Sequence, residues 1–179
     1  MARQLWLLRH ADAEPHGARP DAERRLTARG ESQAHAAGIA LELLRADFDA
    51  VLFSPKTRAR QTADLAAAHW SEQQRGRLSV HPPLAGGFTA RDALAELAGL
   101  AADGRLLLVG HEPDFSGVIG DLTGGRPDLK KGGLAVVRLE GGAPRLGGDG
   151  VVGELVVLLR PRELALIAGG VGGVPVDGD

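Results

Sequence analysis

The sequence predicts an α/β protein of three layers (α/β/α), with helices on both faces of a mainly parallel central sheet and an antiparallel strand pair at the C-terminal end. Three short apolar runs carry the parallel part of this prediction: residues 5–8, 48–53 and 105–109. Their almost unbroken apolar character is typical of strands that are buried on both faces. Segments of helical character lie between and after these runs, and strands that alternate with helices favour a parallel sheet.

The last third of the chain predicts the antiparallel pair. Two strand patterns, residues 134–139 and 153–159, are joined by the Gly-rich residues 141–150, an arrangement that indicates a hairpin. Residues 160–164 predict the start of a short final helix. Residues 169–179 are rich in Gly, Val and Asp without periodicity, so we expect a loose tail there.

Two helices are predicted around the second strand. Thr27 is the expected N-cap of the first, which Gly30 and Gly38 weaken without ending. The second is Ala-rich and runs over residues 55–69. The segment after it, residues 70–77, is interpreted as too polar for a core.

A short strand at residues 78–80 and two more helices complete the pattern, one over residues 89–100 and one over residues 113–122. The helical spacing of residues 89–100 predicts four inward-facing side chains: Leu94, Leu97, Ala98 and Ala101.

Composition limits the class of protein. A chain of 179 residues suits one domain with a sizeable core, which we place at residues 1–168. The formal net charge of −2 and the aromatic content of 3% give no reason to expect binding to nucleic acid or a membrane. The absence of cysteine excludes disulfides and thiolate catalysis. No signal peptide and no membrane-spanning run is recognised, so a cytoplasmic location is expected.

Polar side chains follow the predicted strands at the points where they end. Arg9 and His10 follow the first strand, the helix after the second begins near Arg58, and His111 follows the third. The carboxyl ends of parallel strands meet at one edge of a sheet, where α/β proteins place their ligands. Guanidinium groups provide a planar fork of donors for phosphate, and an imidazole can attack or exchange a proton. The pattern therefore predicts a site for an anionic substrate.

Three motifs together resemble the histidine phosphatase superfamily. They are Arg-His-Ala at residues 9–11, the segment from Ser-Pro to Gln-Thr-Ala at residues 54–63, and Gly-His at residues 110–111. The match runs in order from about residue 4 to residue 139. The short chain and its Arg-His-Ala-Asp and Gly-His-Glu-Pro segments are most similar to the SixA-type phosphohistidine phosphatases of that superfamily.

The resemblance implies a role for each residue. His10 is the nucleophile that becomes phosphohistidine, since an imidazole near its reference pKa of about 6.5 is largely neutral at pH 7. We expect one of its ring nitrogens to donate to a backbone carbonyl. Arg9, Arg58 and His111 are catalytic and substrate-binding residues that stabilise charge on the transferred phosphoryl group. No cofactor and no metal is expected.

Several other polar residues are weaker candidates for the site. Asp12 is a candidate acid at the mouth of the pocket, but it could equally cap a loop. A solvated surface is the favoured interpretation for four basic side chains: Lys56, Arg60, Lys130 and Lys131. The remaining histidines are expected to be solvated or capping residues: His16, His35, His69 and His81.

One departure from the wider superfamily bears on the substrate. In the mutases and many phosphomonoesterases of the superfamily, a glutamate in the segment after the second helix is the general acid. The matching segment of this chain, residues 78–88, contains no carboxylate. The chain also lacks the insertions that hold a sugar phosphate in the mutases.

The leading hypothesis is a metal-independent phosphatase that removes phosphate from phosphohistidine in a protein. The alternatives are a phosphatase for small phosphate esters or anhydrides and a non-catalytic phosphate-binding module. The oligomeric state stays open.

Overall fold

The computed structural model describes residues 2–139 and 152–169 of the chain. Six strands form one sheet: β1 (Arg3–Arg9), β2 (Ala50–Phe53), β3 (Leu78–Val80), β4 (Arg105–Gly110), β5 (Leu134–Leu139) and β6 (Gly153–Leu159). Six α-helices accompany them in the described ranges: α1 (Ala28–Leu43), α2 (Thr57–Ala67), α3 (Glu72–Arg75), α4 (Ala90–Ala98), α5 (Asp114–Thr123) and α6 (Pro161–Ala168).

The sheet has the strand order β3-β2-β4-β1-β5-β6. Strand β4 lies between β1 and β2 and pairs with both in parallel, and β2 also pairs in parallel with β3. Strand β5 runs antiparallel to β1 and to β6. The predicted mixed α/β sheet and its antiparallel end are therefore confirmed, while the predicted Gly-rich connection 141–150 lies outside the described residues.

Alternating side chains of the central strands enter two cores. On one face, Leu5 and Leu7 of β1 pack in a cluster with side chains of α4 and α5. On the other face, Leu8 belongs to a cluster that includes side chains of α1, α2 and α6. Because both faces of β1 are covered, its sequence is a continuous apolar run. The three predicted layers follow from these two cores.

Helix α1 begins as predicted, because the Thr27 side chain accepts a hydrogen bond from the Gly30 amide. The two glycines of this helix have a role beyond weakening it. A Cβ atom on Gly38 would lie 2.1 Å from the carbonyl oxygen of Ala66 in α2, and one on Gly30 would lie 1.9 Å from that of Asp12. Glycine at these positions lets α1 approach α2 and the loop that follows β1.

The interpretation of residues 70–77 as too polar for a core is wrong at Trp70. This side chain is 6% exposed, its ring lies 5.9 Å from that of Phe48 between centroids, and its Nε1 donates to the Gly38 carbonyl. Gln74 is also buried, and its side chain accepts from the backbone amide of Phe48. The polar neighbours lie in α3 and in turns on either side of these two buried side chains.

The inward face of α4 also differs from the prediction. Leu94 and Leu97 are buried as expected, but Ala98 and Ala101 are exposed. The capping box of Thr89 starts the helix at Ala90, so the buried face is instead Ala90, Ala93, Leu94 and Leu97. Ala101 lies beyond the helix, which ends at Ala98.

The final helix α6 is present as predicted and packs against α1. Of the expected tail at residues 169–179, only Gly169 is described, and its amide donates to the Ala165 carbonyl at the end of α6. The other residues of the expected tail lie outside the described part. None of the helices in the described ranges is long and apolar enough to cross a membrane.

Candidate active site

The C-terminal ends of β1, β2 and β4 form one edge of the sheet, and hydrogen bonds hold the residues that follow them. The His10 amide donates to the Gly110 carbonyl over 2.9 Å, and the Ser54 amide donates to the Val109 carbonyl over 3.0 Å. The imidazole rings of His10 and His111 come to 5.2 Å between centroids. A cleft of about 690 Å³ opens at this edge, and Arg9, His10, Arg58 and His111 line it. The four residues predicted from separate strand ends therefore lie together.

His10 is buried and held by hydrogen bonds at both ring nitrogens. Its Nδ1 lies 2.8 Å from the carbonyl oxygen of Ala11, so this nitrogen carries the proton and donates. Its Nε2 accepts a hydrogen bond from Nε of Arg58 over 3.2 Å. Burial lowers the pKa of His10 to about 3, the Ala11 bond opposes this, and the charges of Arg58 and Arg9 add to it. The ring is neutral at pH 7, with a lone pair on Nε2.

The two ring nitrogens of His111 have different surroundings. Its Nε2 lies 2.7 Å from Oγ of the fully buried Ser54, while its Nδ1 is buried without a hydrogen-bond partner in the described part of the chain. Burial lowers the pKa of His111 to about 3, and the neighbouring His10 and the charge of Arg58 act in the same direction. His111 is therefore a neutral imidazole at pH 7.

Arg58, in the first turn of α2, connects His10 to the loop that follows β1. Besides the bond to His10, its Nη1 donates to the Asp21 carbonyl over 2.6 Å and its Nη2 to Oδ2 of Asp21 over 3.3 Å. The Arg58 carbonyl accepts from the Thr62 hydroxyl, which in turn accepts from the Ala11 amide. This chain of bonds fixes the start of α2 against the end of β1.

Arg9 ends β1, and one edge of its guanidinium is fixed. Its Nη1 donates to the Leu129 carbonyl over 2.9 Å, and its Nε is buried without a hydrogen-bond partner among the residues described. Burial lowers its pKa, and the carboxylates of Glu112 and Asp128 oppose that effect. Nε of Arg9, like Nδ1 of His111, is a buried nitrogen without a hydrogen-bond partner in the described ranges, on a residue that lines the cleft.

Asp12 is engaged elsewhere and is not among the residues that line the cleft. Its carboxylate accepts from the Thr27 hydroxyl over 2.8 Å and from Nζ of Lys131 over 3.3 Å. Partial burial raises its pKa, but the bonds from Thr27 and Lys131 outweigh this, so the pKa lies below its ordinary value. This environment favours the ionised carboxylate and the capping interpretation over that of an acid.

Sequence reasoning missed several residues of the cleft. Lys56 and Lys131 line it rather than lying on a solvated face, and Nζ of Lys56 bonds Oδ2 of Asp21 over 2.8 Å. The residues from the segment after β3 that line the cleft are Ala85, Gly86 and Gly87, which bring no ionisable group. Acidic residues from other segments line it: Glu14, Asp21, Glu112 and Asp114.

Other predicted surface residues lie as expected or find partners. Arg60 is exposed, with its guanidinium 5.8 Å from the centre of the Phe53 ring. His35 and His69 contact each other across α1 and the end of α2, with ring nitrogens 2.9 Å apart. Within the described ranges, no three His, Cys, Asp or Glu side chains are grouped to hold a metal ion.

Comparison with known proteins identifies the family. Residues 5–79 match the family model of the histidine phosphatase superfamily (branch 1). An uncharacterized protein of Picosynechococcus is 34% identical over 174 residues, which cover 90% of this chain and 98% of that protein.

Solved structures agree with this assignment. The protein histidine phosphatase SixA complexed with tungstate superposes with a TM-score of 0.71 at 23% identity, covering 90% of this chain and 99% of that one. A SixA structure from Nakamurella multipartitia gives 0.70 at 28% identity, covering 90% and 97%. A mycobacterial glucosyl-3-phosphoglycerate phosphatase gives 0.62 at 18% identity, covering 88% and 98%. The family match and this shared fold, with two histidines and two arginines at one sheet edge, show that the chain belongs to the histidine phosphatase superfamily and is a SixA-like phosphatase.

Proposed function

We propose that the protein removes the phosphoryl group from phosphohistidine in a protein, without a metal, through a phosphohistidine intermediate on His10. The observation that carries the proposal is the state of His10. Its Nδ1 is tied to the Ala11 carbonyl, and its Nε2 lone pair lies at the cleft beside Nε of Arg58. A neutral, oriented imidazole needs no separate base to act as a nucleophile.

In the first step, the hydrogen bond from Nε of Arg58 passes from Nε2 of His10 to a phosphoryl oxygen, which frees the Nε2 lone pair. Nε2 then forms a bond to phosphorus while the bond between phosphorus and the leaving group breaks. Charge spreads over the three equatorial oxygens of the phosphoryl group during transfer. Arg9, Arg58 and His111 line the cleft and are the groups that would stabilise that charge. Nε of Arg9 and Nδ1 of His111 are not engaged by any other residue in the described ranges. These groups are already fixed, so little reorganisation accompanies the reaction.

In the second step, water attacks the phosphorus of phosphorylated His10. The bond from phosphorus to Nε2 breaks and its electron pair returns to the imidazole, while the oxygen and both protons of the water leave with the phosphoryl group as dihydrogen phosphate. The hydrogen bond from Nδ1 of His10 to the Ala11 carbonyl holds the ring in place in both steps.

The preference for phosphohistidine rests on the leaving group. An ester leaves as a strongly basic alkoxide and needs a positioned acid, whereas an imidazole protonated on its distal nitrogen leaves neutral. The segment in which mutases place their acid lines this cleft with Ala85, Gly86 and Gly87. The SixA structures among the relatives agree with this preference.

A second function, turnover of small phosphate esters or anhydrides, is favoured by a specific observation. Glu112 and Asp114 line the cleft, and Oε1 of Glu112 is buried without a hydrogen-bond partner within the described residues. A carboxyl group there could serve as an acid, and the glucosyl-3-phosphoglycerate phosphatase shares the fold. A phosphate-binding module without turnover is the weakest alternative, because it would not require the oriented nucleophile.

A substrate panel distinguishes these functions. The values of kcat/KM are compared at neutral pH, with and without EDTA, for a phosphohistidine protein, a phosphoserine peptide and small phosphate esters. We expect the phosphohistidine protein to be preferred and EDTA to leave the rates unchanged. Equal or faster ester turnover would favour the second function, and loss of ester turnover in Glu112→Gln would identify its acid.

A further inference from the structure

The loop between β1 and α1 carries a carboxylate into the cleft. Ala13 and Leu26 pair across the base of this loop, and a short 3-10 helix, Asp21–Glu23, lies within it. Arg24, which is 5% exposed, holds the loop together. Its Nη1 donates to the Glu14 carbonyl over 2.7 Å, and its Nε and Nη2 both donate to Oδ1 of Asp21, over 3.1 and 2.9 Å.

The other carboxylate oxygen of Asp21 contacts two basic side chains of the cleft. Oδ2 accepts from Nζ of Lys56 over 2.8 Å and from Nη2 of Arg58 over 3.3 Å. The side chain is 44% exposed, so it is open to solvent on one side. The hydrogen bond from Lys56 opposes the effect of partial burial, and with Arg24 and Arg58 it holds the pKa of Asp21 well below its ordinary value. Asp21 is thus an ionised group at neutral pH.

A phosphate bound to Arg58 must share this guanidinium with Asp21. Two like charges within a few ångströms repel each other, more strongly in a partly enclosed cleft than in water. We propose that Asp21 is a resident anion of the phosphate site, which neutralises Lys56 and Arg58 when the cleft is empty and weakens the retention of inorganic phosphate, the product. This role rests on the proposed function, in which Arg58 binds the phosphoryl group.

The charge of Asp21 can be separated from its structural contacts. The hydrogen bond from Nη1 of Arg58 goes to the backbone carbonyl of Asp21, which any side chain retains. In Asp21→Asn, the amide oxygen can still accept from Arg24, while the negative charge next to Lys56 and Arg58 is lost. Glu23→Gln is the matched control, because Glu23 is exposed in the same 3-10 helix and does not line the cleft.

The experiment is an equilibrium titration of the full chain with inorganic phosphate, paired with phosphate inhibition of turnover. We expect Asp21→Asn to bind phosphate at least about tenfold more tightly, with a lower kcat if phosphate release becomes limiting, and Glu23→Gln to stay within about twofold of wild type. Unchanged or weaker phosphate binding in Asp21→Asn would overturn the proposal and assign Asp21 the task of positioning Arg58. Failure of the wild type to bind phosphate, with no turnover of any substrate in the panel, would instead overturn the proposed function.

A second measurement does not depend on folding of the variant. The side-chain carboxyl carbon of Asp21 is followed by NMR in the wild-type protein as phosphate is added. We expect its resonance to shift with the same dissociation constant as the titration, because phosphate competes for Lys56 and Arg58. A resonance that stays unmoved at saturating phosphate would contradict the proposal.

Discussion

The hydroxyl oxygen of Ser54 lies 2.7 Å from Nε2 of His111, and the same oxygen accepts a hydrogen bond from the Lys56 amide over 3.3 Å. Because the Lys56 amide can only donate, the hydroxyl hydrogen is free to point at His111. We therefore assign the proton of neutral His111 to Nδ1 from the hydrogen-bond network. Nδ1 is the buried nitrogen without a partner in the described ranges, and in the proposed function it is the atom that donates to a phosphoryl oxygen.

Replacing Ser54 with alanine should allow the proton of His111 to occupy either ring nitrogen. A net hydrogen bond contributes about 0.5–1.5 kcal/mol, so we expect kcat of Ser54→Ala to fall about threefold to tenfold with little change in KM. Nitrogen NMR of His111 should show a mixture of tautomers. Ser116→Ala is the control, since Ser116 lies on α5 and its hydroxyl bonds the Pro127 carbonyl away from the cleft. Wild-type kcat and an unchanged tautomer in Ser54→Ala would contradict the assignment.

Acid should destabilise the protein through its two buried histidines. The folded pKa of His10 and of His111 is about 3, below the unfolded value of about 6.5. Between these values the unfolded state binds more protons, so stability is lost as pH falls from 6.5 toward 3. At pH 5 the loss is about 2 kcal/mol for each histidine.

Urea unfolding at pH 7 and pH 5 measures this loss. We expect His10→Asn to lose about 2 kcal/mol less than wild type between the two pH values. His16→Asn is the control for the loss of an exposed imidazole, since the His16 side chain is 85% exposed. An equal loss in wild type and His10→Asn would show that His10 titrates normally in the folded protein.

Arg58 should act on transition-state charge and on the orientation of His10 together. Loss of one such donor costs about 2.7–4 kcal/mol, so Arg58→Ala should lower kcat by two to three orders of magnitude. Arg58→Lys should not restore the rate, since an ammonium group cannot bond Nε2 of His10 and the Asp21 loop as a planar fork does. Arg60→Lys, two residues along the same helix and exposed, should keep the wild-type rate. A normal kcat in Arg58→Lys would refute this role.

Gly38 should be required for the contact between α1 and α2. A Cβ atom there would overlap the backbone of Ala66, so we expect Gly38→Ala to destabilise the protein by about 1–3 kcal/mol or more. A Cβ atom on Gly117 in α5 would meet no atom of another described residue within 4 Å, so Gly117→Ala should instead stabilise by about 0.5–1 kcal/mol through helix propensity. Thermal unfolding of both variants provides the comparison, and equal effects of the two changes would argue against close helix packing at Gly38.

The part of the site that follows strand ends could be predicted from the sequence. His10, Arg58 and His111 come directly after apolar runs or at the start of the next helix, and a parallel sheet brings such positions together. Asp21 and Lys131 could not be placed, because their positions depend on how loops fold across the sheet edge. Lys56 resembles an ordinary residue of a helix start until its partner Asp21 is known.

In the fold too, features that depend on neighbouring residues could be predicted, whereas contacts between residues distant in sequence could not. Continuous apolar runs are enough to predict the central strands, and the Thr27 cap is enough to predict the start of the first helix. Such local patterns are not enough for Trp70, which has polar neighbours in sequence but packs against Phe48 in space. Gly38 looked unfavourable by helix propensity, and the reason for it lies in a contact with a different helix.

The central claim is that the phosphoryl group passes through His10. The direct measurement is rapid quench of the 179-residue chain during turnover of a phosphohistidine protein, under alkaline conditions that preserve phosphohistidine. The phosphate is then mapped by mass spectrometry. We predict phosphate on Nε2 of His10, accumulation and decay at rates that account for kcat, and neither label nor turnover in His10→Ala. A label confined to another residue, or full activity in His10→Ala, would contradict this account.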